Sequence, residues 1–312
     1  MSAQQLWHTP ATTELRSAAM SNEPEKLSIT ARYSMISQGT EMLVKKARVP
    51  QDMHHMMSVP YMLGSFDLPI HYGYAMIGEV TSGADNWVGR NIHCMHPHAT
   101  NFGINAEDVM ALDSNIQAQH ALIGNIETAI NAIWDSKIES GNKILILGLG
   151  SIGMLVGALA EKLFDVDIYF QETNPHRAEC AEKKGWKSVA KDPVDVAFHT
   201  TGKEEGLQTA IEAVGLEGKV IELSWYGNKA VSLQLGGSFH TMRKQIISSQ
   251  VSNIPADKAG QWDFARRRKW AMELSTELDL PDPELISLSK AVEWFNGHWQ
   301  SDASFLIIDY SL

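Results

Sequence analysis

Cysteine is scarce in this chain: Cys94 and Cys180 are the only two in 312 residues. A disulfide framework is therefore excluded, Cys-x-x-Cys is absent, and a reducing cytoplasm is the expected compartment. Long apolar runs are missing too. The most apolar stretch, residues 143–157, is interrupted by Gly148, Gly150, Ser151 and Gly153, so no membrane span is expected. Basic charge is in deficit. Lys and Arg number 26 against 37 Asp and Glu, a net charge of −11, which disfavours a nucleic-acid or anionic-membrane partner. The one basic cluster, RRRK at 266–269, lies beside Trp262, Phe264 and Trp270 and reads as a solvated helix face. The opening MSAQQLWHTPATTELR shows no basic segment leading into an apolar one, so no secretory leader is expected. There is no internal repeat and no low-complexity segment. What remains is an ordinary globular composition, 44% hydrophobic and 20% charged, at a length that suits two domains.

Two textures divide the chain. Up to about residue 125 the segments are short, β-branched and punctuated by turn residues: LSITARYSMIS (27–37), YAMIGEVTSG (74–83), WVGRNIHCMH (87–96) and FGINAEDVMALD (102–113). They predict an irregular β-barrel, with DMHHMMSVPYM (52–62) as a loop. From residue 120 onward strands and helices alternate. Helical patterns at 120–136, 153–163, 175–185 and around 206–214 separate strand patterns at 143–147, 166–172, 195–202, 219–227 and 246–251. That alternation predicts βαβ units and a parallel sheet. A long amphipathic helix over 256–278, a second over 287–297 and a last strand over 305–310 close the chain.

GLGSIG (148–153) fits G-x-G-x-x-G. It follows a predicted strand, opens a predicted helix, and Glu172 ends the next strand 24 residues after Gly148. That context is the dinucleotide-binding fingerprint. Gly148 permits the tight turn, Gly150 lets backbone approach a pyrophosphate, and Gly153 lets helix pack on strand. Ser151 and Ile152 begin the helix whose unpaired N–H groups face the phosphates. Glu172 can accept from both hydroxyls of the adenosine ribose and would repel a 2′-phosphate, so NAD(H) is expected over NADP(H). Arg177, five residues on, could soften that repulsion. The alternative is a glycine-rich turn that binds nothing.

With these residues in place the chain resembles the medium-chain dehydrogenase/reductases, the zinc alcohol dehydrogenase-like proteins. ISQGTE (36–41) resembles the Cys-Gly-Thr-Asp loop, HYGYAMIGEV (71–80) the Gly-His-Glu-x-x-Gly-x-Val segment, and VGRNI (88–92) the Gly-Asp-x-Val turn. GNIETAINA (124–132), LEGKVIELSWYG (216–227) and FHTMRKQIISSQV (239–251) resemble the helix that opens the nucleotide domain, the strand near the nicotinamide and the dimerisation edge. The resemblance implies an α/β architecture: a GroES-like β-barrel catalytic domain from residues 1–125 and 253–312, and a Rossmann doubly wound parallel sheet from 126–252. It implies a small-molecule substrate, a homodimer through the Rossmann domain, and Thr128, Thr201, Ser224 and Trp225 near the cofactor.

The departures set the expected chemistry. Where the family has zinc ligands this chain has Gln38 (or Ser37), Tyr74 and approximately Asn125, and Ala75 replaces the glutamate after the histidine. None is a thiolate, imidazole or carboxylate, and the four-cysteine zinc lobe is missing, so no zinc is expected. A zinc-free branch must stabilise the carbonyl oxygen otherwise. Tyr74 could donate to it, or could simply fill the space of the metal. Thr40 matches the family's relay hydroxyl. Glu41 matches an aspartate beside that loop and reads as a structural ion pair. In HCMHPH (93–98), Cys94, His96 and His98 share one face of an extended strand. They suggest either a relocated metal site or, for His96 and His98, a proton-donating pocket histidine. The expected activity is hydride transfer between nicotinamide and a carbonyl, alcohol or activated alkene. A degenerate nucleotide-binding scaffold or sensor, and a metalloenzyme with its site at Cys94/His96/His98, are the alternatives.

Overall fold

The computed structural model describes all residues except 1, 20–22, 24, 113–114, 189 and 191, and the side chain of Ser2 is likewise left aside. The last residue of the 102–113 segment thus lies outside the described residues. The chain forms two compact units. The first comprises Met1–Leu122, Pro283–Ser301 and Phe305–Leu312; the second comprises Ile123–Asp282 and Asp302–Ser304.

The first unit is built on the strand Leu27–Met35, whose β-branched residues suit a half-buried pleat. It pairs antiparallel with Met76–Ser82, with Asn101–Ile104 and with Leu306–Asp309 near the chain end. The full sheet runs Glu284–Ile286, Leu306–Asp309, Leu27–Met35, Met76–Ser82, Asn91–Cys94, Val109–Ala111. A four-stranded sheet joins Thr13–Ala19, Ser2–His8, Ile70–His71 and Leu63–Gly64. One core cluster gathers Leu27, Ile29, Met76, Val80, Ile92, Cys94 and Phe102; another gathers Leu6, Ile36, Phe295 and Leu306. The sequence pattern missed the short helix Gln38–Lys45, whose polar first turn hides its helical spacing. Part of the expected 52–62 loop is also helical, over Gln51–Met53 and His54–Met57.

The second unit is a five-stranded parallel sheet in the order Asp167–Gln171, Lys143–Leu147, Val194–His199, Val214–Glu222, Gln245–Ser248. After Lys143 the strand reads ILIL, apolar and buried throughout, because helices cover both faces of such a sheet. A parallel bridge from Tyr169 to Lys187 adds a sixth position outside Asp167–Gln171. The spatial order is then third, second, first, fourth, fifth, sixth, the doubly wound Rossmann arrangement. Strand direction of growth reverses between Lys143–Leu147 and Val194–His199. Ligands bind such sheets in the crevice beyond the strand ends at that reversal.

Two expectations change here. The helix predicted over 256–278 spans only Phe264–Glu277, because Asp263 caps it by accepting from Arg266 N and the preceding residues form turns. It packs within the second unit rather than the first, as the 253 boundary had it. Arg267, inside the RRRK cluster, is 2% exposed and not solvated. Its guanidinium donates to Glu127 Oε1 (3.2 Å), Asn131 Oδ1 (2.7 Å) and Val251 O (2.8 Å). Those buried acceptors on the helix Ile123–Ser136 draw the segment onto the nucleotide-side unit. Among the described residues no helix is long and apolar enough to cross a membrane.

Candidate functional site

The glycine turn sits at the reversal point of the second unit. Gly148 has φ +89°, a left-handed conformation that glycine adopts without strain, and a Cβ there would press on Thr200 and Thr201 at 3.0 Å. A Cβ on Gly153 would lie 1.9 Å from Gly148 O, so only glycine lets the helix Ser151–Leu163 close on the turn. A Cβ on Gly150 would meet nothing nearer than Arg177 Nη1 at 3.8 Å. The backbone at Gly150 is therefore open to a ligand, and the helix N-terminus stands behind it. Ser151 and Ile152 lie in the first turn of that helix, where backbone N–H groups could hold an anion.

Glu172 closes one side of the turn. Its Oε2 accepts from Leu149 N (2.6 Å) and its Oε1 from Thr173 N (2.6 Å) and Asn174 N (2.8 Å). These bonds set the carboxylate's direction and leave Oε2 able to accept a further donor. Arg177 lies over the turn but does not bond Glu172. Its Nε and Nη2 donate to the carbonyls of Asp302 (3.1 Å) and Ala303 (3.0 Å).

Across the reversal point, the ends of the next two strands carry a polar network that sequence reading missed. His199, fully buried, has Nδ1 at 3.0 and 2.9 Å from the Glu222 carboxylate oxygens and Nε2 at 2.6 Å from Thr201 Oγ1. Ser224 N donates to Glu222 Oε1 (2.7 Å), Gly202 N to Ser224 Oγ (3.0 Å) and Tyr226 Oη to Glu222 Oε2 (3.1 Å). Burial and the Glu222 charge hold the Tyr226 phenol well above its ordinary range, so it remains a donor. The network ties the loops after Val194–His199 and Val214–Glu222 together. It places the expected cofactor residues Thr201 and Ser224 side by side; Trp225 is half-buried on the same loop. A charged residue ending an apolar strand, as in KVIE, was the available signal. Thr128 is elsewhere occupied: its hydroxyl donates to Gly124 O one helical turn back (3.3 Å).

In the first unit the expected catalytic residues form one cluster with a different centre. His98 and Glu41 are both fully buried, with Nε2 2.8 Å from Oε2. Glu41 Oε1 also accepts from Ser37 N (2.7 Å). On its other side His98 Nδ1 meets Ser34 Oγ (2.8 Å), which meets Tyr310 Oη (2.8 Å). The Tyr74 phenol lies close to the side chains of Ser37 and Thr40 and to the Glu41 charge. Burial, reinforced by the Glu41 charge, pushes the Tyr74 phenol up to about 12, so it stays protonated. Gln38 Nε2 is buried with no partner among the described residues. Ser34 and Tyr310 were not legible beforehand, since 276 residues separate them.

The HCMHPH expectation fails in detail. The strand stops at Cys94, so the period-two face does not continue to residues 96 and 98. Cys94 packs in the core, and desolvation raises its thiol far above the usual range. His96 stacks on Phe102 at 3.7 Å, and burial lowers it to about 3. A ring so desolvated stays neutral at working pH, so any proton it offers is that of a neutral imidazole N–H. Among the described residues no three His, Cys, Asp or Glu come together as a metal-holding group, so the relocated Cys94/His96/His98 site does not form.

Fold and glycine turn together define the alcohol dehydrogenase-like architecture. No protein-family model matches the chain. A stretch of 123 residues is 31% identical to (R,R)-butanediol dehydrogenase of Bacillus subtilis, covering 34% of this chain and 35% of that enzyme. The chain thus matches about a third of the length of its curated relatives. Among solved structures, acetophenone reductase of Geotrichum candidum in complex with NAD superposes with TM-score 0.76 at 13% identity, over 99% of this chain and 97% of that one. A Sinorhizobium meliloti 1021 protein described as a zinc-binding dehydrogenase and bound to NADP superposes with TM-score 0.76 at 14% identity, over 99% of each chain. The resemblance to the medium-chain dehydrogenase/reductase family is borne out.

Proposed function

We propose that this protein is an NAD(H)-preferring oxidoreductase that moves hydride between nicotinamide and a carbonyl, alcohol or activated alkene of a small molecule, without zinc. The observation that carries the reading is the glycine turn with Glu172 anchored to it through Leu149 N. The turn and helix Ser151–Leu163 would hold the diphosphate, and Glu172 would take the ribose hydroxyls. Bound NAD(H) supplies or accepts the hydride.

The donor set at the family's metal position does not suit zinc. Gln38 presents an amide nitrogen and Tyr74 a protonated phenol, while Glu41 and His98 satisfy each other. What these groups offer is hydrogen-bond donation. The Tyr74 O–H would donate to the substrate oxygen, and the neighbouring hydroxyls of Thr40 and Ser37 would pass the proton onward. The scarcity of cysteine supports a cytoplasmic protein, and the strand Gln245–Ser248 at the sheet edge supports a homodimer through the Rossmann unit. A second reading, a nucleotide-binding scaffold without turnover, draws support from the mutual satisfaction of Glu41 and His98.

The test is a fluorescence titration with NADH and separately NADPH, read by energy transfer from the nine tryptophans. Saturable NADH binding tighter than NADPH, followed by turnover of any member of a carbonyl panel, is expected. NADH binding with no turnover across the panel would favour the scaffold. No binding of either cofactor would overturn the reading.

A further inference from the structure

Arg177 is five residues past the carboxylate that reads the adenosine ribose, the place from which a guanidinium could welcome a 2′-phosphate. Its two-nitrogen edge is already committed. Nε donates to Asp302 O at 3.1 Å and Nη2 to Ala303 O at 3.0 Å. The segment Asp302–Ser304 that offers those carbonyls is itself pinned to the nucleotide turn at three further points. Asn174 Nδ2 donates to Asp302 Oδ1 (2.6 Å), Ser151 Oγ to Ser304 O (2.7 Å), and Ser304 Oγ to Leu149 O (2.8 Å). Ala303 and Ser304 are buried, so this is a packed strap and not a passing surface contact.

Bidentate recognition of a phosphate needs the parallel N–H pair of the guanidinium fork. Here that pair faces two backbone carbonyls, and the remaining terminal nitrogen, Nη1, lies beside Gly150. A 2′-phosphate can take the Nε–Nη2 edge of Arg177 only if the strap lets go, and while the strap holds that edge the guanidinium is fixed in orientation against the two carbonyls. We propose that the Asp302–Ser304 strap is a determinant of cofactor choice: it withholds Arg177 from a 2′-phosphate and so adds to the repulsion by Glu172. Loosening the strap turns the site toward NADP(H). This rests on the nucleotide-binding reading above.

The experiment uses the full-length protein and measures Kd for NADH and NADPH by the same titration. The wild type comes first: failure to bind NADH sinks the functional reading itself, independently of the strap. Given binding, the pair Asp302→Ala and Ser304→Ala removes two of the pins. The ratio of NADPH to NADH dissociation constants is expected to fall by about tenfold or more, as a charge-assisted bidentate contact becomes available. Adding Arg177→Ala to that background is expected to return the ratio to its starting value. Asp302→Asn removes the charge but keeps an oxygen for Asn174, and it is expected to leave the ratio nearly unchanged. An unchanged ratio in the double variant overturns the proposal. So does a gain that survives Arg177→Ala, or an equal gain in Asp302→Asn, which would make the effect one of charge alone. Loss of both cofactors also overturns it, since the strap would then support the site and not the choice. Asp302 is exposed, so Asp302→Ala alone carries the test if the double variant does not fold.

Discussion

His98 Nε2 lies 2.8 Å from Glu41 Oε2, with neither side chain exposed to solvent. A carboxylate taken fully out of water is tolerable only with donors around it, and Glu41 has the imidazole and Ser37 N. The donors line up in one direction. The Tyr310 hydroxyl can donate to Ser34, Ser34 to His98 Nδ1, and His98 Nε2–H to Glu41.

Removing one member of that pair leaves the other buried and unmatched. Glu41→Ala is expected to destabilise the protein by about 3–5 kcal/mol, as for other broken buried pairs. Urea unfolding at pH 7.5 reads it. A loss below about 1 kcal/mol would mean that water enters and replaces the carboxylate.

Tyr74→Phe separates donation from space-filling. The ring remains and only the hydroxyl beside Ser37 and Thr40 is lost. A donor to the reacting oxygen should cost about 10²–10³ in kcat when removed, with NADH affinity unchanged. Unchanged turnover on an accepted substrate would show that Tyr74 only fills space.

Acid should unfold this protein early. Burial lowers His8 to about 3, His71 to about 4 and His96 to about 3, with His98 repelling a charge on each and Lys45 on His8. The unfolded chain therefore binds protons that the folded one refuses once pH drops below about 6.5. The stability is fully present above that value and is lost as pH falls toward about 4. Each ring contributes a slope of about 1.4 kcal/mol per pH unit, so His8, His71 and His96 together approach about 4 kcal/mol per unit. Thermal melts from pH 7.5 to 5 should show a steep fall in Tm below pH 6; a flat profile would show that these rings charge in the folded state.

Two glycines of one turn should respond differently to alanine. Gly150→Ala meets only Arg177 Nη1 at 3.8 Å, so Tm should hold while NADH affinity drops by about tenfold or more, because the methyl blocks the pyrophosphate's approach to the backbone. Gly153→Ala meets Gly148 O at 1.9 Å and should lower Tm as well. Equal Tm losses would mean that Gly150 is also a packing glycine.

The nucleotide unit was legible because its signals are local. Apolar strands such as KILIL, the glycine turn and the acidic strand end at Glu172 lie within 30 consecutive residues, and each is dictated by backbone sterics or by burial on two faces. The departures at Gln38, Tyr74 and Ala75 were equally plain, since a side chain's capacity to bind metal is a property of the residue. Other features were set by contacts that no local pattern encodes. HCMHPH misled because period two holds only while the strand lasts, and the strand ends at Cys94. RRRK misled because Glu127 and Asn131, about 140 residues earlier, bury Arg267. The sequence by itself determined the two-part α/β architecture, the glycine turn between strand and helix, and the lack of zinc-type ligands at the family's positions. Only the tertiary structure decided that Glu41 faces His98, that Ser34 meets Tyr310, that Glu222 holds His199 and that Asp302–Ser304 engages Arg177. Each of those joins groups far apart in the chain, and a buried charge or polar group takes whatever partner the fold brings within 3 Å of it.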